Sequence, residues 1–388
     1  MSRILHIGKF FPPFAGGIEN FLADLIPAQM QQGETIAALV HDHQPRWWPF
    51  FGSVYSENFE NCTIYRAPCY GRLLYAPISP QFPFWLNRVL HDFQPTILHL
   101  HLPNTSAFFA LWLPRARRIP WIIHWHADVE TPFNPYLSIA YKFYRPLEQR
   151  LLAHAQRIIV TSPPYLMASQ ALVRWQNKCQ IIPLGITLSR LPMPTASAID
   201  WAEQQWQPDQ LRVLSVGRLT YYKGHEILIS AIAETTNVQV LIVGKGEERQ
   251  GLASQIVQLN LSQQVKLLGY CNEVELTALL ATCDCFCLPS LERSEAFGVV
   301  LLEAMRYKKP IIASAIAGSG VTWVVQDGQT GMLVPPTEIT ALAHALQFFQ
   351  TNPQRRIELG TAGYQRFLQL FDINQVAKEI STLYREII

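Results

Sequence analysis

The sequence has little charge. Asp, Glu, Lys and Arg make up 15% of its 388 residues, against 49% hydrophobic, a balance that excludes a disordered chain. It has no strict repeat, so collagen and coiled coil are also excluded. No apolar run approaches the ~18 residues that a membrane-spanning helix requires. The seven cysteines are an odd number in a long chain, which argues against a disulfide framework. The opening Met1-Ser2-Arg3-Ile4-Leu5-His6-Ile7-Gly8-Lys9 breaks its apolar stretch too early for a secretory signal, and a cytoplasmic location is expected.

What is present suits two hydrophobic cores rather than one. The net charge of +2 conceals an asymmetry: residues 1–190 carry 16 Lys and Arg against 10 Asp and Glu, and the remainder 15 against 19. Seven of the ten Trp and nine of the eleven His also fall in the first half. A basic, aromatic-rich half suits an acidic or membrane-proximal partner, and equally fits ordinary variation between two domains. Cys283, Cys285 and Cys287 suggest a metal, but their stretch has the pattern of a buried strand. Alternate strand residues lie ~6.6 Å apart, too far for zinc thiolates, whose short bonds bring the sulfurs within about 4 Å of one another.

Short apolar strands alternate with helical patterns throughout, the signature of parallel α/β architecture. Strands are expected at 3–7, 34–40, 97–100, 121–124, 157–160 and 179–182, then at 211–216, 238–243, 265–268, 283–288, 310–313 and 331–334. Residues 1–190 and 211–370 form two Rossmann-like domains in this reading. The Pro-containing stretch 191–210 is the linker, and 371–388 is a final helix returning to the first domain. Residues 46–77 show no clear periodicity and are expected to form a long excursion.

Three motifs carry chemistry. The first strand runs into Lys9-Phe10-Phe11-Pro12-Pro13-Phe14-Ala15-Gly16-Gly17-Ile18-Glu19, where paired glycines allow close backbone approach and a helix start offers N–H groups to an anion. A strand-to-helix turn needs glycine in any case. In the second half, Gly217-Arg218 and Lys223-Gly224 place two cations five residues apart at a strand's carboxyl end. They suit paired phosphates, Arg218 as a fork and Lys223 as a point charge. Nearby Val243-Gly244-Lys245-Gly246 lacks the third glycine of a dinucleotide fingerprint. The most specific stretch runs from Pro289 to Met305: Glu295 precedes a helix whose first turn contains Gly298, and four apolar residues then lead to Glu303. Eight residues are a little over two helical turns, so the two carboxylates are expected on a similar face, Glu303 deeper and in need of partners.

With Ile182-Pro183-Leu184-Gly185-Ile186 and the run from Asp327-Gly328 to Pro335, these motifs closely resemble those of the retaining glycosyltransferases of family 4, along essentially the whole chain. The resemblance implies the GT-B fold, two Rossmann-like domains with parallel sheets facing across a cleft. It implies a hexosyltransferase that takes a nucleotide-diphosphate sugar (GDP-mannose or a UDP-sugar) as donor and a saccharide or lipid-linked acceptor, with no metal, no cofactor and no nucleic acid partner. Carried over by position, Arg218 and Lys223 match the donor pyrophosphate pair, Glu295 the glutamate near the donor sugar, and Glu303 the ribose ligand. Gly217 belongs to the same turn; Phe297 and Gly298 offer backbone N–H groups. Gly16 and Gly17 match the loop facing phosphates and acceptor, and His126 the histidine that touches the transferred sugar.

The chain departs from the family at Leu184-Gly185-Ile186-Thr187, where Asn-Gly-Val/Ile-Asp is commoner, and at Gly318-Ser319-Gly320 with Trp323. The latter, Tyr165 and the run His124-Trp125-His126-Ala127-Asp128 are similar to a subgroup of envelope polysaccharide mannosyl- and rhamnosyltransferases. Two rivals stand beside this reading: a sugar-nucleotide epimerase of the same fold, and a non-catalytic binding subunit. A third arises from His41-x-His43, His99-x-His101 and His124-x-His126 at strand carboxyl ends, since His-x-His can ligate a metal. No acidic cluster accompanies them. Finally, basic and aromatic residues mix at 46–51, 82–88 and 108–118, the composition of a surface that touches an anionic membrane.

Overall fold

The structure, a computed structural model, describes residues 2–14, 16–44, 55–73, 76–129 and 135–388. The stretch 46–51 lies outside them. Two compact units form, one from Met1–Gly185 with Ile373–Ile388 and the other from Ile186–Asp372.

The first unit contains β1 (Arg3–Ile7), β2 (Thr35–His41), β3 (Tyr55–Phe59), β4 (Cys62–Ala67), a ribbon of β5 (Arg72–Leu73) and β6 (Ala76–Pro77), β7 (Ile97–Leu102), β8 (Trp121–Trp125), β9 (Arg157–Val160) and β10 (Cys179–Ile181). Its sheet has the order β10-β9-β8-β7-β1-β2-β4-β3. Strands β7, β8 and most of β1 and β2 are buried along their length, as expected of parallel strands covered on both faces. The excursion expected at 46–77 instead supplies strands: β4 extends the parallel sheet and β3 closes it antiparallel. Cys62, Ile64 and Ala67 are buried while Thr63 is exposed. That is a half-buried edge pattern, too short to register as periodic.

The chain's last helix, Ile373–Ile387, belongs to this unit. It buries Ile373, Val376, Ala377, Ile380, Leu383 and Tyr384, a 3–4 spacing that presents one apolar stripe, and it packs on the helix Gly17–Gln31.

The second unit contains β11 (Leu211–Val216), β12 (Val238–Val243), β13 (Val265–Gly269), β14 (Cys285–Leu288), β15 (Ile311–Ser314) and β16 (Gly331–Val334), all parallel, in the order β13-β12-β11-β14-β15-β16. This is the doubly wound order in which the connections change direction between β11 and β14, and ligands of such sheets bind beyond the strand ends at that switch. Cys283, Cys285 and Cys287 are buried free thiols. Burial pushes all three thiols up, Cys283 to about 11, the behaviour of small core residues.

The stretch 191–210 is not an open linker. Thr195 caps the helix Ala196–Glu203, which packs on the helix Glu273–Thr282. Leu191, Ala202 and Trp206 are buried, and Trp206 Nε1 donates to Thr282 Oγ1 at 3.0 Å. Its prolines lie outside the helix, and the apolar residues between them are enough to anchor it to the second unit.

Candidate functional site

The site in the second unit is built at its switch point. The turn after β11 carries Gly217, Arg218 and Lys223, and the loop after β14 carries Ser290 and Glu295. Lys223 Nζ donates to Glu295 Oε2 at 2.5 Å, and Ser290 Oγ donates to the same oxygen at 3.0 Å. Both members of the ion pair are buried, Lys223 9% exposed and Glu295 8%. Burial alone would pull the Lys223 ammonium down, but attraction to Glu295 outweighs it and leaves the group above its ordinary value. Gly217 makes the approach possible: a Cβ there would sit 3.2 Å from Lys223 Cε. Gly224, at φ +65, turns the chain into the helix His225–Ala233 where a Cβ would lie 2.1 Å from Pro289 O, so the turn and the Glu295 loop are in direct backbone contact. Arg218, by contrast, is exposed.

Glu295 and Glu303 do not share a helix face. The helix begins only at Val299, capped by Gly298 in the left-handed region, and Glu295 and Phe297 precede it in the loop. The eight-residue spacing therefore spans a loop and a cap, not two turns. Glu303 pairs instead with Arg190, Nη2 to Oε1 at 3.6 Å. Burial raises its carboxyl above the ordinary range, and Arg190 opposes that shift. Arg190 lies outside every motif, and Ser290, although within the stretch 289–305, shows no sign in one dimension of its bond to Glu295. Phe297 is buried. The first turn of its helix leaves N–H groups without intrahelical acceptors.

In the first unit, Gly16 caps the helix Gly17–Gln31 and Gly17 is its first residue. The preceding loop is held by Arg66 of β4, buried, which donates to the Phe11 and Pro12 carbonyls and to Glu57 of β3. The unforeseen edge strands thus brace the glycine loop. His126 follows β8, its backbone N–H donating to Leu102 O at 3.0 Å. Asp128 ties the segment down, accepting from Trp125 Nε1 at 2.9 Å and Ser169 Oγ at 2.6 Å, while its own N–H donates to Tyr165 Oη at 2.6 Å.

The histidines divide differently from the three expected pairs. His41 stands apart, its ring nitrogens on Lys9 O at 2.5 Å and Ser106 Oγ at 2.9 Å. His6, His99, His101, His124 and His126 form one buried stack. Register explains it: His6 faces His99 across β1–β7, and His101 faces His124 across β7–β8, with i, i+2 neighbours on the same face. Ring nitrogens of His6, His99 and His101, and of His101, His124 and His126, lie within 4.8 Å of one another. His124 lies nearly parallel to His126 at 4.3 Å and 2°, and His101 to His126 at 5.2 Å and 15°, whereas His6 is tilted by 30° against His99 and by 34° against His101. Two of the short contacts are hydrogen bonds, His6 Nδ1 to His101 Nε2 and His101 Nδ1 to His126 Nε2, both 2.9 Å.

Residues 16–185 match the glycosyl transferase 4-like domain, and residues 199–366 match glycosyl transferases group 1. The chain belongs to the family-4-like glycosyltransferases. It is 29% identical over 374 residues to D-rhamnosyltransferase WbpZ of Pseudomonas aeruginosa, covering 95% of this chain and 92% of the relative. It is also 29% identical over 383 residues to O-antigen chain mannosyltransferase C of Escherichia coli, covering 98% of each. Its GT-B fold is shared with sucrose-phosphate synthase from Thermosynechococcus elongatus, with a TM-score of 0.81 and 25% identity, covering 100% of this chain and 99% of that one. Anabaena HepE, with a TM-score of 0.74 and 21% identity over the whole of both chains, shares it too.

Two outcomes follow for this glycosyltransferase. Lys223→Met strands a buried carboxylate and should cost about 3–5 kcal/mol, with much of the loss recovered in Lys223→Met/Glu295→Gln. Arg218→Ala, at an exposed position, should stay within about 0.5 kcal/mol of wild type. Urea unfolding reads all three, and a Lys223→Met protein as stable as wild type contradicts the buried pair.

The second outcome concerns pH. Burial lowers His6 and His41 to about 4, and His126 and His225 to about 3, while His99, His101 and His124 also fall well below 6.5. The unfolded chain takes up these protons from about pH 6.5 downward and the folded one does not, so stability is full above that pH and lost as pH falls toward 4. His6 alone accounts for about 3 kcal/mol at pH 4. Glu148, raised by burial to about 7, works in the opposite sense with Glu34 and Glu303, whose carboxyls burial also raises, but these are three groups against seven. The melting temperature should drop between pH 6.5 and 4; a flat profile contradicts the neutral stack.

Proposed function

We propose that the protein is a metal-independent, retaining hexosyltransferase that moves a sugar from a nucleotide-diphosphate donor to a saccharide or lipid-linked acceptor in envelope polysaccharide synthesis. The observation that carries this reading is the buried Lys223–Glu295 pair beside exposed Arg218 at the switch point of the second unit's sheet. The two rhamnosyl- and mannosyltransferase relatives, similar over nearly their whole length, support the substrate class.

In this reading Arg218 and Lys223 meet the donor diphosphate. The bond between the anomeric carbon and the phosphate oxygen breaks, its electron pair passing to the diphosphate, where the two cations stabilise the developing charge. The acceptor hydroxyl oxygen bonds to the same face of that carbon, and its proton passes to the departing phosphate oxygen. Glu295, its Oε2 already holding Lys223 and Ser290, accepts from sugar hydroxyls through its remaining lone pairs. Glu303, restrained by Arg190, accepts from the ribose. Gly16 and Gly17 let backbone approach the phosphates, and His126 bonds the transferred sugar. No metal is required, because the fixed cations supply the positive charge.

Among the described residues, one surface supports the membrane-facing reading. Phe82, Leu86 and Phe108 are core residues, so part of the aromatic signal was packing. Phe84 and Trp112 are exposed at 63% and 55%, with Arg88, Arg115, Arg117 and Arg118 exposed alongside, on three short helical elements that pack together. That combination suits anionic headgroups, each cation contributing about 1 kcal/mol.

Incubating the enzyme with donor sugars, with and without acceptor, tests the central reading: a sugar should be transferred only when acceptor is present, with its anomeric configuration kept. Glu303→Ala should mainly raise KM for donor and Glu295→Gln mainly lower kcat; the reverse pattern overturns the two assignments. Conversion of donor alone makes the protein an epimerase. Flotation should show binding to anionic vesicles at low salt that is lost in Trp112→Ala/Arg117→Ala/Arg118→Ala, and no binding by wild type contradicts the membrane surface.

A further inference from the structure

The histidine stack is directional, and its direction is set far from His126. Gln29 Nε2 donates to Tyr384 Oη at 2.9 Å, which turns the Gln29 carbonyl Oε1 toward His6 Nε2, also at 2.9 Å. A carbonyl can only accept, so His6 carries its proton on Nε2. A neutral imidazole has one donor and one acceptor, and burial keeps these rings neutral. His6 Nδ1 therefore accepts from His101 Nε2. One step further, His101 Nδ1 accepts from His126 Nε2. His126 ends the series with its proton on Nε2 and a bare, buried Nδ1 that has no hydrogen-bond partner among the described residues. At the other end, Tyr384 Oη donates its own proton to His99 Nδ1 at 2.5 Å, which leaves it free to accept from Gln29.

We propose that Tyr384, acting through Gln29, His6 and His101, fixes the tautomer of His126, so that Nδ1 is held as an acceptor for a hydroxyl of the bound sugar. This rests on the reading of His126 as the residue that meets the sugar. Tyr384 and Gln29 are then positioning residues, and the final helix contributes to specificity without touching substrate. Reversing the Gln29 amide would reverse every hydrogen bond in the series with no change in packing, and His126 would then present an N–H. The observed direction holds while Tyr384 accepts from Gln29 Nε2 and directs its own proton to His99 Nδ1.

The test is long-range proton–nitrogen correlation on the full chain labelled with 15N-histidine, the His126 signals identified by their loss in His126→Ala. The expected result is His126 protonated on Nε2 in the wild type, and mixed or Nδ1-protonated in Tyr384→Phe, which keeps the packed ring, and in Gln29→Leu. Turnover should fall about tenfold in both variants, the worth of one hydrogen bond of ~1.4 kcal/mol, with KM for donor unchanged. Wild-type His126 protonated on Nδ1, or an unchanged Nε2–H tautomer in Tyr384→Phe, overturns the proposal. His126→Ala separates the two levels. Wild-type turnover in that variant removes the sugar contact itself, whereas a slow His126→Ala beside fully active Tyr384→Phe and Gln29→Leu removes only the relay.

Discussion

A buried ammonium and a buried carboxylate at 2.5 Å constrain everything around them in the second unit. Neither charge would be tolerated there alone, because each loses hydration that only the other, with Ser290, replaces. That requirement explains the local sequence: a glycine at 217 to clear the lysine stem, a left-handed glycine at 224 to bring the turn against Pro289, and a β14 loop that leaves its strand at the switch point. It also separates two cations that look equivalent in one dimension. Lys223 is a fixed part of the protein interior, while Arg218 is exposed and free to meet a ligand's charge.

The first unit solves a different problem with the same economy of parallel strands. Five neutral imidazoles occupy one face of β1, β7 and β8, where apolar residues would pack more simply. Hydrogen bonds run through His6 and His101 and end on His126, while His124 only stacks, and the Asp128 clamp fixes the backbone beyond. Both devices hold one side chain in a defined geometry before any ligand arrives, which is the condition for electrostatic help to reach the reacting atoms without reorganisation.

Much of this was legible in the residues. Central strands such as Leu211–Val216 and Val238–Val243 coincide with the structure because they are continuous apolar runs bounded by turns. The motifs at Gly16, Arg218, Lys223 and Glu295 stand out in the sequence because each departs from what packing alone would select. What escaped lay in pairings between distant positions. Ser290, Arg190, Gln29 and Tyr384 are unremarkable in their own neighbourhoods and gain meaning only from the residue they face. The expectation that Glu295 and Glu303 project from a similar face fails because helical spacing does not carry across the left-handed cap at Gly298. Edge strands β3 and β4 escaped because short half-buried strands carry little periodicity. The stretch 191–210 reads as a linker because its prolines outweigh four buried apolar residues.

The most direct measurement is thermal denaturation of the wild type and of Lys223→Met/Glu295→Gln across a panel of nucleotide-diphosphate sugars. Selective binding to the folded state raises the melting temperature in proportion to the logarithm of ligand concentration. At least one donor should do so for the wild type, with the shift abolished in the double variant although that protein remains folded. An equal shift in the double variant would show that the buried pair and its loop are not where the diphosphate sugar binds.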